Sequence, residues 1–139
     1  MLKGGEIMKN IRILPMSKKE ETFKEMPIEK VQEMFFKDIL VNECGNKYYF
    51  SGLSGIEVKY EDIILFQYDN HVIASAIVID YDKKNRCMIL RDNTINTFKP
   101  IDKEEVKQFI PSFKKFCQMK LKYPTDNIEY DSLLKRIGY

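Results

Sequence analysis

Two β-rich segments joined by a tight turn constrain the fold of this chain more than any other feature. The segments run over residues 63–68 and 72–81, and the turn Asp69-Asn70 joins them. Asp and Asn tolerate the left-handed backbone of two-residue hairpin turns, so this pattern predicts an antiparallel hairpin. The first eight residues of the second segment, residues 72–79, are apolar on both faces apart from Ser75, which is typical of a central strand.

Shorter strands and several helices are expected around this hairpin. The other predicted strands cover residues 11–16, 47–50, 86–91 and 94–98. Helical spacing is seen in the apolar residues Ile28, Val31, Phe35 and Ile39. Ser17 and Asp102 begin capping-box patterns, and Asp126 is placed to cap a last helix. Because strands cluster in mid-chain and helices flank them, we expect an α+β fold and not alternating βαβ units.

The length of 139 residues suits one domain. The run Lys3-Gly4-Gly5 can be encoded by a purine tract of the ribosome-binding kind, a short distance upstream of Met8. We therefore expect translation to start at Met8. On this interpretation residues 1–9 form a flexible or mis-annotated tail, and residues 10–139 form a single domain.

The number and spacing of the cysteines and the one histidine argue against a disulfide framework and a zinc site. Cys44, Cys87 and Cys117 are far apart, odd in number and without a zinc-type spacing to each other or to His71. Reduced thiols are typical of the cytoplasm, and no apolar run approaches the ~20 residues that span a bilayer. We expect a cytoplasmic protein with no metal or organic cofactor and no membrane contact.

One segment carries a family resemblance. In the run VKYEDIILFQYDNHVIASA, residues 58–76, Asp62 opens a strand of the type D-x-(I/V)-L-F-x-Y, and small residues follow the turn. This run resembles the central hairpin of PUA-like domains, the superfamily of EVE, ASCH, YTH and SRA domains. Residues 98–101, which lead into a helix, also look EVE-like, and the resemblance covers roughly residues 10–137. Glu61 departs from the pattern, since the family often has Gly before the Asp.

The resemblance implies a fold and a function. The fold would be a small, curved PUA-like β-barrel of five to six strands flanked by helices. EVE, YTH and SRA members hold a single, often modified base in a pocket beside the barrel, and some belong to modification-dependent restriction systems. We therefore expect a bacterial or phage DNA- or RNA-binding module for a flipped or single-stranded base, including modified bases, with a link to antiviral defence.

The candidate binding residues form two groups, and no residue is assigned a catalytic role. One group offers aromatic rings for stacking and a loop of small residues that a base can approach, namely Tyr49, Ser51, Gly52, Leu53, Ser54, Gly55, Phe66 and Tyr68. The other group is a basic run that would contact phosphates, namely Lys99, Lys114, Lys115, Gln118 and Lys120. Asp62 or Gln67 would read the edge of the base. Arginine is scarce, which argues against guanine readout from a recognition helix.

Two other functions stay open. The chain is rich in Lys, Ile, Asn, Tyr and Phe, whose codons are typical of an AT-rich genome. A phage or mobile-element protein that binds and inhibits a host protein would fit this codon usage and the small size. An ASCH-like amidohydrolase would use a G-x-K turn, which Gly45-Asn46-Lys47 matches, although Tyr48 stands where that family has Thr. The residues favour a binding module over an enzyme.

Overall fold

The computed structural model describes residues 9–49 and 58–139. The strands are β1 (Lys9–Pro15), β2 (Lys47–Tyr49), β3 (Ile63–Tyr68), β4 (His71–Asp82), β5 (Cys87–Leu90), β6 (Asn96–Asp102) and β7 (Met119–Tyr123). Helix α1 starts as an α-helical turn, Ile28–Lys30, and continues as a π-helix, Val31–Glu43, and it is followed by α2 (Lys103–Phe109) and α3 (Tyr130–Arg136). The predicted α+β class is confirmed. Within these two ranges no helix is long and apolar enough to cross a membrane.

The strands form one seven-stranded mixed sheet in the order β2-β5-β4-β3-β1-β7, and β6 also pairs with β4. Only β1 and β3 are parallel among the described pairs, and the others are antiparallel. β4 pairs with β3 along one edge, and its other edge pairs first with β6 and then with β5. In the described part of the chain the sheet is not closed, because β2 and β7 lie at its two ends.

The predicted hairpin is confirmed. β3 and β4 pair in antiparallel register down to Tyr68 opposite His71. Asp69 and Asn70 have φ values of +50° and +61°, the left-handed conformation expected for the two residues of such a turn. Ala76 on β4 is fully buried, which agrees with a central strand.

Helices cover both faces of the sheet and create two cores. On one face α1 inserts Phe36 and Leu40 against Phe66 of β3. On the other face α2 and α3 pack against β1 and β3, with Val106 and Leu133 in the same cluster as the isoleucines of β1. β3 lies between these two layers, so all of its residues are buried.

The inner face of α1 differs from the one that the sequence predicts. Val31 is buried as expected, and Phe36 and Leu40, which the sequence adds only at the edge of the apolar face, are buried more deeply than Phe35 and Ile39, which are half-buried. The cause is the π-helical winding, in which each hydrogen bond spans five residues, as from the Cys44 N–H to the Ile39 carbonyl at 2.9 Å. This wider turn moves the inward positions away from the α-helical spacing.

Two of the predicted helix starts and the tail boundary are also corrected. No helix follows Ser17, whose hydroxyl accepts only the Lys19 N–H at 3.1 Å before a series of turns. Asp126 accepts the Lys122 N–H at 2.7 Å and closes a turn instead of capping a helix. Lys9, assigned to the tail, is the first residue of β1 and pairs with Tyr123.

Candidate nucleic-acid interface

Strands β1 and β7 place basic side chains next to each other at one end of the sheet. In their antiparallel register Arg12 lies opposite Lys120, and Asn10 lies opposite Lys122. Leu121 is buried in the core shared with α2 and α3, so the lysines on either side of it project from the opposite face. The result is a row of cations at the end of the sheet.

A cleft opens beside this row, and we call it the basic cleft. Its volume is about 140 Å³. Its lining consists of Arg12, Ile13, Leu14, Val58, Ile64, Met88, Gln118, Met119 and Lys120. Most of these residues are apolar, while Gln118 and Lys120 are exposed at its rim. Drug-sized ligands occupy pockets of about 300 Å³ or more, so this cleft suits a smaller group.

Arg12 is held in place by the buried carboxylate of Asp62. Asp62 accepts hydrogen bonds from Arg12 Nε at 3.0 Å, from Asn10 Nδ2 at 3.0 Å and from the Lys59 N–H at 2.9 Å. These bonds keep Asp62 inside the protein, with 2% of its surface exposed, so it serves to position Arg12 and not to contact a base directly.

Comparison of the chain with protein-family models, with curated proteins and with solved structures finds no match. The likeness of residues 58–76 to the PUA-like hairpin therefore stays a prediction.

The predicted phosphate-contacting residues divide into three places. Gln118 and Lys120 are brought together at the basic cleft. Lys114 and Lys115 are exposed on the segment that leads into β7, but they do not line the cleft. Lys99 is exposed on β6, where its carbonyl accepts Arg136 Nη2 at 2.7 Å, and it does not line the cleft either.

Two predicted stacking residues are core residues, and their assignment to a binding site is corrected. Phe66 and Tyr68 are both 0% exposed. The Phe66 ring packs against Phe36 at 5.0 Å and against Tyr48 at 4.9 Å between centroids. Tyr68 donates its hydroxyl to the Met26 carbonyl at 2.6 Å. With helices on both faces of β3, neither ring has a face open to a ligand.

The remaining predicted aromatic residue and the small-residue loop have different outcomes. Tyr49 at the end of β2 is 54% exposed, so its ring is accessible. Ser51, Gly52, Leu53, Ser54 and Gly55 lie outside the described residues. Val58, the first described residue after them, lines the basic cleft.

Lys47 belongs to the Gly45-Asn46-Lys47 turn that matches the amidohydrolase pattern. It is exposed on β2 and lacks the burial that would activate a lysine as a base.

A second opening, the tyrosine groove, lies next to the basic cleft. It has a volume of about 420 Å³ and is lined by Val58, Lys59, Tyr60, Ile79, Asp80, Tyr81 and Lys83. Val58 lines both openings, so they adjoin. Tyr60 is 66% exposed and stands on the tight turn before β3.

An ion-pair network supports the turn of Tyr60. Glu61 lies between Arg91, at 3.0 Å, and Lys9, at 3.4 Å. The hydrogen bond from Arg91, followed by that from Lys9, holds the pKa of the Glu61 carboxyl below its ordinary value. Arg91 also places its guanidinium 5.6 Å from the centroid of the Tyr60 ring.

Sequence reasoning missed Arg12, Tyr60 and strand β7, although Arg12 and β7 each left a signal. Arg12 stands between Ile11 and Ile13, and strand alternation would place it on the face opposite to theirs. Residues 119–123 alternate apolar and lysine in the pattern of a half-buried strand.

Over residues 9–49 and 58–139, no group of three His, Cys, Asp or Glu side chains is arranged to hold a metal ion.

Proposed function

We propose that this domain binds nucleic acid at the basic cleft. The observation that carries the proposal is the register of β1 and β7, which places Arg12 directly opposite Lys120 at the rim of a small apolar opening. Lysine side chains at a sheet edge attract phosphates without regard to sequence, and they position the strand for contacts to the bases. Lys122 extends the same row by one more cation.

The lining of the cleft favours a single base as the group that enters it. Leu14, Ile64 and Met88 form the nearly buried apolar floor of the cleft, so a flat heterocycle at its mouth would contact only their outermost atoms. Gln118 at the rim carries an amide that both donates and accepts hydrogen bonds, which suits the edge of an unpaired base. A base inside a duplex would have to leave its stack to reach these groups, so a flipped or single-stranded base is the ligand that we propose.

A PUA-like curvature of the sheet is part of this proposal. The support comes from β4, whose pairing register shifts between Val72 and Ala74 and again between Val78 and Asp80. Such irregularities bend a strand and increase its twist. A strand bent in this way directs its two halves toward different partners, as the barrel expected from the resemblance requires.

Binding is tested by fluorescence anisotropy with labelled oligonucleotides, single- and double-stranded, methylated and unmodified, at two salt concentrations. We expect affinity that falls steeply with salt, and we expect Lys120→Ala to lower the slope of log K against log salt by about 1. Lys107→Ala is the matched control, because Lys107 is exposed on α2, on the opposite face of the sheet. A protein that binds none of these oligonucleotides at low salt would overturn the proposal.

A further inference from the structure

We infer that the tyrosine groove stacks unpaired bases next to the basic cleft, which makes single-stranded nucleic acid the ligand class of this domain. The inference rests on the proposed function and adds a second contact surface to it. Its main residue is Tyr60, the most exposed of the large hydrophobic side chains in the described residues.

The Tyr60 ring is presented by a rigid turn. The Asp62 N–H donates to the Lys59 carbonyl at 3.0 Å, and the Lys59 N–H donates back to Asp62 Oδ2 at 2.9 Å. The Glu61 N–H donates to the Val78 carbonyl at 2.7 Å and fixes the turn to β4. A ring that is held before the ligand arrives loses little conformational freedom on binding.

One face of the ring is already occupied by a cation. Arg91 lies 5.6 Å from the ring centroid and is held there by its ion pair with Glu61 at 3.0 Å. The side chain is nevertheless 66% exposed, so its other face is open to solvent. A base stacked on that face would complete a sandwich in which the guanidinium orients the ring and adds positive charge.

The surroundings of Tyr60 fit a nucleic-acid strand. Lys59 and Lys83 border the groove with positive charge, which the single carboxylate of Asp80 offsets only in part. Tyr81 and Ile79 add apolar surface. Ile79 is 38% exposed, so its side chain is accessible from the groove. Because Val58 lines both openings, a strand whose phosphates lie along Lys120 can continue into the groove.

This geometry discriminates between single and double strands. In a duplex both faces of each base are covered by neighbouring bases, so the Tyr60 ring would find no partner. In a single strand the bases are free to stack on aromatic rings, and this stacking depends little on sequence. The groove therefore contributes to affinity for single strands and not for duplexes.

The test compares Tyr60→Ala with Tyr60→Phe, using an oligothymidine of about 12 nucleotides and a duplex of the same length as probes. We expect the alanine variant to bind the single strand about tenfold more weakly and the duplex unchanged. The phenylalanine variant keeps a ring and should retain wild-type affinity. Because Tyr60 is exposed, both variants should melt at the wild-type temperature, which excludes misfolding as the cause.

The other outcomes are distinct. If the wild-type protein binds the oligothymidine and the alanine variant binds it equally well, the stacking role is wrong while the proposed function stands. If Tyr60→Ala lost affinity equally for the single strand and the duplex, the stacking role would also be wrong, since equal losses would indicate a general electrostatic effect. Binding of neither probe by the wild-type protein would overturn the proposed function and this inference together.

Discussion

Arg12 and Asp62 form an ion pair that joins β1 to the turn before β3, with Arg12 Nε 3.0 Å from Asp62 Oδ2. The two side chains are 16% and 3% exposed, so the pair is largely shielded from water. The same carboxylate accepts the Lys59 N–H and thereby closes the turn that carries Tyr60. The basic cleft and the tyrosine groove therefore share one support.

Removal of this carboxylate should destabilise the fold. We expect Asp62→Ala to lower the free energy of unfolding by about 3 kcal/mol, because it removes the buried carboxylate that pairs with Arg12 and accepts hydrogen bonds from Asn10 and the Lys59 N–H. Urea denaturation measures the change. Asp62→Asn keeps one acceptor oxygen, so we expect a smaller loss of stability than for Asp62→Ala. An alanine variant as stable as the wild type would show that the ion pair has no structural role.

Enlarging a small residue on β4 should disturb the core. Ala76 is 0% exposed and packs in the α1 layer, so Ala76→Leu has no space for its added atoms. We expect a loss of about 1–3 kcal/mol in thermal or chemical unfolding. Ile79→Leu on the same strand is the control, and it should change stability by less than about 0.5 kcal/mol. Equal stability of Ala76→Leu and wild type would contradict the central position of β4.

Gln32 satisfies carbonyl groups where the pairing of β4 and β6 is interrupted. Its Nε2 donates to the Ile73 carbonyl at 2.9 Å and to the Phe98 carbonyl at 2.8 Å. The register shifts beside Ile73, so the ladder is interrupted there. Gln32→Leu should therefore cost about 1–3 kcal/mol of stability. Gln108→Leu, at an exposed position of α2, should be close to neutral, and a similar loss in both variants would argue against the role of Gln32.

The Glu61 network should give a pH-dependent contribution to stability. The pKa of Glu61 is lowered in the folded protein, chiefly by the Arg91 hydrogen bond. The stabilisation is therefore complete above the unfolded pKa and is lost as the pH falls through the folded pKa. The melting temperature of the wild type should exceed that of Glu61→Gln at about pH 7, and the difference should shrink toward about pH 3. A constant difference over this range would exclude the ionised carboxylate as its source.

Sequence reasoning succeeded where local chemistry determines the structure. The turn residues Asp69 and Asn70 predicted the hairpin, and Asp102 caps α2 by accepting the Glu105 N–H at 2.9 Å as its pattern indicated. Glu61 has a φ of +70°, a conformation that glycine favours, at the position where the PUA-like domains that the segment resembles often have glycine. These features depend on residues close together in the chain.

The failures depend on contacts between distant segments. Phe66 and Tyr68 are buried because helices cover both faces of β3. The residues of β3 alone do not indicate this covering. The sequence predicts Lys120 as part of a basic run that contacts phosphates, but it does not predict the strand β7, because a five-residue alternation is a weak signal beside that charge. The pairing of Arg12 with Asp62 depends on the parallel alignment of β1 and β3, which no local pattern predicts.

The pairing of β1 with β7 joins the first and last strands of the described chain, which determines when the basic cleft is completed during synthesis. A ribosome releases Arg12 early and Lys120 late, so β1 remains an unpaired edge until the final strand has emerged. Contacts between such distant segments form slowly, and an open strand edge invites aggregation in the meantime. A chain that is interrupted before Met119 would lack one wall of the cleft. The cleft is therefore complete only after the chain has been synthesised through β7 and that strand has paired with β1.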